Sequence, residues 1–238
     1  VERDDILNQY LFTLTAPTGI GKTMTALDFS LKLKDKIRQT ENLNAPIIYA
    51  LPFINIIEQS LKEYKDTLPE YVKILGHYQF ADVFGQNKDG DEKDYDQKLM
   101  TLDTWQADVV ITSFVQFFET LIGNRNKLLK KFNHLAGAII ILDEVQTLRL
   151  DQMPLIGAAL FYLTKFLKAR IILMTATKPI IFELAQREIL DNENEKVVPL
   201  ELLKSHEEIF KTFHRTCIIP LLNHEFDQEN VCLDFTGS

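Results

Sequence analysis

Cysteine is nearly missing from this chain of 238 residues: Cys217 and Cys232 are the only two, both late. They form no metal-ligand spacing, and a reduced intracellular state fits them. Long apolar runs are missing too. None approaches the eighteen or so residues of a membrane span, and no signal peptide is visible, so the expectation is a cytoplasmic protein with no membrane partner. Basic charge is short: 26 lysines and arginines stand against 34 acidic residues, a formal net charge of −8. That argues against an avid, purely electrostatic nucleic-acid binder, whose footprint is a basic face. It leaves room for a lobe that touches a phosphate backbone through main-chain amides and hydroxyls. No internal repeat occurs.

What is present is enough for a large core, with 46% hydrophobic and 25% charged residues. Length suggests one α/β domain, or one domain plus a tail. Apolar runs over 10–15, 45–51, 72–75, 108–112, 138–142 and 170–174 read as strands. Helical patterns lie between them, at 23 to about 33, 55–67, 114–122, 154–166 and 180–190, with Asn55 opening the second and Gly123 ending the third. Alternation of this kind predicts a three-layer α/β fold, a mainly parallel sheet with helices on both faces. Residues from about 80 to 104 break the rhythm with a polar run, Asn87 to Asp94, and read as a solvated, disordered insertion. Beyond Asp191 the pattern weakens into a charged connector with one further strand at Cys217-Ile218-Ile219. The expected division is a lobe over 1–200 and a connector over 201–238. The first strand starts near residue 10, which suggests a piece of a longer protein.

The octet Ala16-Pro17-Thr18-Gly19-Ile20-Gly21-Lys22-Thr23 lies between the first strand and the first helix. A strand, a glycine-containing loop and a helix N-terminus aim several backbone N–H groups and a positive dipole end at one spot, where phosphate oxygens fit. Gly19 and Gly21 allow positive φ, Lys22 would reach the β- and γ-phosphates, and the Thr23 hydroxyl would ligate magnesium. Ala16 stands where the strict P-loop pattern has glycine. Lys22 is expected to be exposed at the loop.

A second signal sits at the end of the most apolar strand, Ala138-Ile139-Ile140-Ile141-Leu142, which runs into Asp143-Glu144-Val145-Gln146. Continuous apolar character marks a strand buried on both faces. A carboxylate at its carboxyl end, beside a P-loop, is where magnesium is held. Asp143 would bind the metal through water, and Glu144 would orient and deprotonate the water that attacks the γ-phosphate. The two motifs together predict a P-loop nucleoside triphosphatase with ATP and magnesium as ligands. Thr175-Ala176-Thr177, after the strand at 170–174, places small hydroxyls where they could hydrogen-bond the 143–146 turn.

In this order the motifs resemble those of superfamily 2 helicases. The octet is similar to their motif I, which accepts alanine at its first position. Leu51-Pro52-Phe53 with Asn55 resembles motif Ia, Val110-Ile111-Thr112-Ser113 motif Ib, Asp143 to Gln146 motif II, and Thr175-Ala176-Thr177 motif III. Ile48 to Pro52, Leu75-Gly76-His77-Tyr78 and Asn133 to Gln146 look closest to the CRISPR-associated helicase–nucleases of type I interference. Gln146 departs from the histidine common there, although an amide still donates and accepts hydrogen bonds.

The resemblance implies a first RecA-like motor lobe. It implies a nucleotide site at 16–23, Gln146 and Thr175 to Thr177 coupling that site to a second lobe, and DNA contacts at Pro52, Phe53, Asn55, Thr112 and Ser113. The implied partners are single-stranded DNA, a second RecA-like lobe, an HD nuclease domain and a CRISPR RNA-guided surveillance complex. No His-Asp pair occurs: His77, His134, His206, His214 and His224 read as structural or surface residues, with His77 the best exception. No Gln-x-x-Gly-Arg-x-x-Arg pattern follows Thr177. Arg149 and Arg170, near the acidic and threonine motifs, stand in no finger-like pattern. The isolated lobe is therefore expected to be almost inactive. An RNA- or duplex-directed ATPase, or a nucleotide-dependent switch for a protein partner, remains an alternative.

Overall fold

A computed structural model describes residues 4–77, 100–123, 125–191, 196–203 and 209–210. The strands are β1 (Leu11–Thr15), β2 (Ile47–Leu51), β3 (Ile74–His77), β4 (Val109–Ser113), β5 (Ile139–Leu142), β6 (Arg170–Thr175) and β7 (Leu200–Glu201). Among the described residues they form one sheet in the order β3-β4-β2-β5-β6-β1-β7, every pair parallel. The helices are α1 (Lys22–Glu41), α2 (Ile54–Thr67), α3 (Phe114–Ile122), α4 (Asn126–Phe132), α5 (Met153–Leu167) and α6 (Ile181–Glu188). This is the three-layer α/β architecture the alternation predicts.

Two apolar layers hold it. On one face Phe12, Leu14, Ile47, Tyr49, Leu51, Ile139 and Ile141 pack against Ala26, Leu27, Leu33 and Ile37 of α1 and Ile57 and Tyr64 of α2. On the other, Ile48, Ala50, Val110, Ile140, Leu142, Ile171 and Leu173 meet Phe117 of α3, Ile156, Leu160 and Leu163 of α5, and Ile181 and Phe182 of α6. Successive residues alternate between the layers, so the central strands are apolar throughout, as a sheet covered twice requires. Each fully buried leucine, isoleucine or phenylalanine contributes about 1.5–3 kcal/mol over its exposed state.

The structure differs from the sequence reading at several places. α1 continues past Leu33 to Glu41, ending at Asn42 with φ 53°. Its later turns alternate Lys and Asp or Arg with Ile37 inside, which dilutes the apolar signal while keeping the helix amphipathic. Asn55 does not cap α2: the capping position is Phe53, with no side-chain bond, and Asn55 is exposed in the first turn. α4 was not anticipated. Residues 100–104 are helical, not irregular, and lead to Trp105, which is fully buried with φ 58°. Trp105 Nε1 donates to His77 Nδ1 at 3.2 Å, and Lys131 lies 5.5 Å from the indole centroid. The expected polar insertion at 80–99 and the strand at Cys217-Ile218-Ile219 lie outside the described residues. β7 spans the position where lobe and connector were divided.

Candidate nucleotide and metal site

The carboxyl ends of β1, β5 and β6 place the P-loop, the acidic turn and the threonine tripeptide along one edge, because every strand is parallel. Parallel strands direct all their exits to the same side, where helix N-termini also converge.

Gly19 has φ 79° and Gly21 φ 87°, conformations that residues with a Cβ rarely adopt. Gly21 precedes α1 in the left-handed region, and no side chain caps the helix. The first-turn amides thus keep their donors aimed at the loop, the arrangement that favours an anion. Ala16 is buried, has no positive φ, and donates its N–H to Thr175 O at 3.1 Å. Its backbone needs nothing that only glycine supplies, which accounts for the alanine. Pro17, Thr18 and Ile20 form the partly to fully exposed turn between.

Lys22 corrects an expectation. It is buried, only 8% exposed, and its ammonium donates to Ala16 O at 2.9 Å. The lysine folds back across the mouth of the loop, because a buried ammonium needs an acceptor.

Asp143 is 5% exposed. Burial pushes its carboxyl above the ordinary carboxylate range, the neighbouring Glu144 adds to that, and the Tyr49 hydroxyl, the Glu144 amide and Lys22 pull it back in part. Tyr49 donates to Oδ2 at 2.6 Å, and the Glu144 N–H donates to Oδ1 at 2.8 Å. Thr23 lies beside the same phenol and offsets part of the upward push on its ionisation. Tyr49 itself is fully buried, stacked on Tyr64 at 5.3 Å between centroids. Burial, with Asp143 close by, holds its own ionisation well above the usual phenol range. No group of three or more His, Cys, Asp or Glu side chains suited to a metal occurs among the described residues. The Thr23 hydroxyl in the first turn of α1 and the Asp143 carboxylate are nevertheless the hard oxygen donors magnesium takes when phosphates complete its shell.

Glu144 has φ 55° and ψ 41°, a left-handed conformation that is costly for a residue with a Cβ and is typical of functional turns. That backbone turns its partly exposed carboxylate out of the strand line, where the Gln146 amide donates to it.

Thr175 and Thr177 do not hydrogen-bond the acidic turn. Thr175 Oγ1 donates to Thr177 O at 2.9 Å and accepts from Thr177 N–H at 3.1 Å, closing the tripeptide on itself around Ala176. The two motifs face each other across a cavity of about 200 Å³ lined by Gln146, Leu150, Thr175, Thr177 and Lys178.

The expected DNA residues divide. Phe53 is 55% exposed, Asn55 is exposed and Pro52 half-buried at the sheet's carboxyl edge. Thr112 is fully buried, its hydroxyl donating to His77 O at 2.7 Å. Ser113 Oγ accepts from Gln116 N–H and caps α3. Both hydroxyls are spent on the fold. Arg170 is likewise remote from the site: it begins β6 at the opposite edge, buried, bonded to Glu41 at 2.6 Å and lying 5.0 Å from the Tyr10 ring. Arg149 is exposed and paired with Asp151 at 2.9 Å.

Sequence reasoning assigned Tyr49 no role. Its signal was a hydroxyl-bearing aromatic at the centre of an otherwise aliphatic strand, Ile47-Ile48-Tyr49-Ala50-Leu51.

A family model of the type III restriction enzyme res subunit matches residues 5–180. The CRISPR-associated nuclease/helicase Cas3 of Haloferax volcanii is 33% identical over 180 residues, which cover 70% of this chain. The chain spans only 19% of that relative's length. Solved structures of T. fusca Cas3 superpose with a TM-score of 0.56 in the ADP form and 0.57 without a named nucleotide, each at 18% identity over 76% of this chain and 20% of that one. At that identity the likeness shows a common fold. No helix among the described residues is long and apolar enough to cross a membrane. With the family match spanning the P-loop, the acidic turn and the threonine tripeptide, the chain belongs to the type III restriction enzyme res-subunit family of helicase domains.

Proposed function

We propose that this chain is the first motor lobe of a DNA helicase that couples ATP hydrolysis to movement along single-stranded DNA in type I CRISPR interference. The observation that carries the reading is the buried Tyr49–Asp143 bond at the acidic turn, beside a loop whose glycines hold positive φ. The 33% identity to a CRISPR-associated nuclease/helicase supports the biological setting.

In this reading residues 16–23 cradle the phosphates of ATP, with backbone amides from Gly19 to Thr23 as donors. Lys22 leaves the Ala16 carbonyl for phosphate oxygens, exchanging a neutral acceptor for a charged one. Magnesium, held through Thr23 and Asp143, supplies charge neutralisation on the phosphates. Tyr49 orients the Asp143 carboxylate and offsets part of what burial does to its ionisation. Glu144 takes the proton of the attacking water, and Gln146 holds that carboxylate in place. Thr175, Ala176 and Thr177 sense the acidic turn across the cavity that the two threonines share with Gln146, rather than by direct bonds. Pro52, Phe53 and Asn55 form the DNA edge, where a ring can stack on a base and an amide can meet the backbone. The partners are a second RecA-like lobe, an HD nuclease domain and an RNA-guided surveillance complex in the cytoplasm. Residues 1–200 make the lobe and 201–238 lead onward.

Joining this lobe to its second lobe and measuring ATP hydrolysis with and without single-stranded DNA tests the proposal. Stimulation by DNA supports it. Stimulation by RNA alone, or nucleotide-dependent capture of a protein partner with no stimulation, overturns it.

A further inference from the structure

Thr13 and Thr15 are polar positions in an otherwise apolar β1, and both share the face of Leu11 by strand alternation. Each is almost fully buried, at 5% and 7% exposure. Their partner comes from far along the chain. Glu201, in the two-residue strand β7, accepts from Thr13 Oγ1 at 2.9 Å and from Thr15 Oγ1 at 2.7 Å through one oxygen. Its other oxygen accepts from the Thr15 N–H at 3.2 Å and the Leu203 N–H at 3.1 Å. The ladder adds the Leu202 N–H, which donates to Thr13 O at 2.8 Å. On the opposite side β1 pairs with β6, where Ala16 N–H reaches Thr175 O. The root of the phosphate loop is therefore clamped between residue 175 and residue 201.

A carboxylate with four donors around two oxygens is held in one place, the two hydroxyl bonds being the short ones and the two amide bonds fixing its second oxygen. It is also directional. A change in the loop that tilts Thr15 must move Glu201, and with it the backbone at 202–203. We propose that Glu201 is a positioning residue for the nucleotide site, and that the segment 200–203 responds to occupancy of the phosphate loop. The inference rests on the nucleotide-binding reading given above. Coupling between two sites is reciprocal: if Glu201 sets the loop's affinity, nucleotide must steady Glu201's own strand to the same extent.

The test is hydrogen exchange of the 238-residue chain with and without the analogue AMPPNP and magnesium, with binding measured by calorimetry on the same samples. Nucleotide is expected to slow exchange at the Leu202 and Leu203 amides. Glu201→Ala should lose that slowing and bind AMPPNP about fivefold to a hundredfold more weakly, the usual range of site-to-site coupling. Glu201→Gln keeps an acceptor oxygen for the Thr15 N–H and should recover most of both. Should Glu201→Ala fail to melt cooperatively, the wild-type exchange and Glu201→Gln decide. Binding of nucleotide with no change at Leu202 and Leu203, or wild-type affinity in Glu201→Ala, overturns the coupling. A wild-type chain that binds no nucleotide overturns the site reading itself, and this inference with it.

Discussion

The Tyr49 hydroxyl donates to Asp143 Oδ2 at 2.6 Å, tying β2 to the acidic turn that follows β5. The two residues are far apart in sequence, one on β2 and the other just past the end of the neighbouring β5, so the bond belongs to the sheet's register rather than to any local motif. Tyr49→Phe removes the oxygen and keeps the ring stacked on Tyr64. A hydrogen bond to a charged group is worth about 1.5–3 kcal/mol. Magnesium-dependent ATP affinity should fall while cooperative unfolding persists; calorimetry across a magnesium series measures it, and unchanged affinity would show that the phenol serves packing only.

Asp143 makes stability and function pull against each other. Its folded carboxyl titrates above the unfolded value, about 3.9, mainly because it is buried. Below that pH both states are protonated and the group contributes nothing. As pH rises, the unfolded chain ionises first, so stability falls until the folded carboxyl also ionises, and then levels. Asp143→Asn should abolish this decline and be the more stable protein at neutral pH, yet lose magnesium-dependent binding. Denaturant midpoints against pH, beside binding, give both readings.

Lys22→Ala should weaken nucleotide binding by about 1.5–3 kcal/mol, the loss of a charge-assisted contact. Because the ammonium also bonds Ala16 O from a buried position, the unliganded loop loses an internal tie. A small drop in melting temperature should accompany the affinity loss, and Lys22→Met, which retains the buried stem, should melt higher than Lys22→Ala.

Glu144→Gln in the two-lobe enzyme should bind ATP and fail to turn it over, since an amide takes no proton. Parent-rate hydrolysis would make the left-handed turn at Glu144 a purely structural device.

The buried and exposed residues of the DNA edge should separate cleanly. Thr112→Val removes the hydroxyl's bond to His77 O and should cost about 0.5–1.5 kcal/mol of stability without changing DNA affinity of the folded protein. Phe53→Ala with Asn55→Ala should do the reverse, because both side chains face solvent. The isolated chain should hydrolyse ATP far more slowly than the two-lobe enzyme, by roughly 10³–10⁵ if the facing lobe supplies an arginine.

The strands, the P-loop and the acidic turn were legible because each is a local pattern: an apolar run, a glycine pair, a carboxylate at a strand end. Tyr49 and Glu201 were not. Their roles depend on which strands lie side by side, and the order β2-β5 and β1-β7 is written in no short stretch of sequence. Thr112 and Ser113 show the opposite limit: hydroxyls at a strand end look available to a ligand, and in the fold they bond a carbonyl and cap a helix. Lys22 was misplaced because a loop position was equated with exposure.

The contact between Trp105 Nε1 and His77 Nδ1 brings the chain back to the spot it left at the end of β3. The edge strand β3 is thus held twice, by its ladder to β4 and by an indole on the approach to that same strand. The margin of the sheet gives way only when both go, and Trp105 guards the register from a position far from the nucleotide loop.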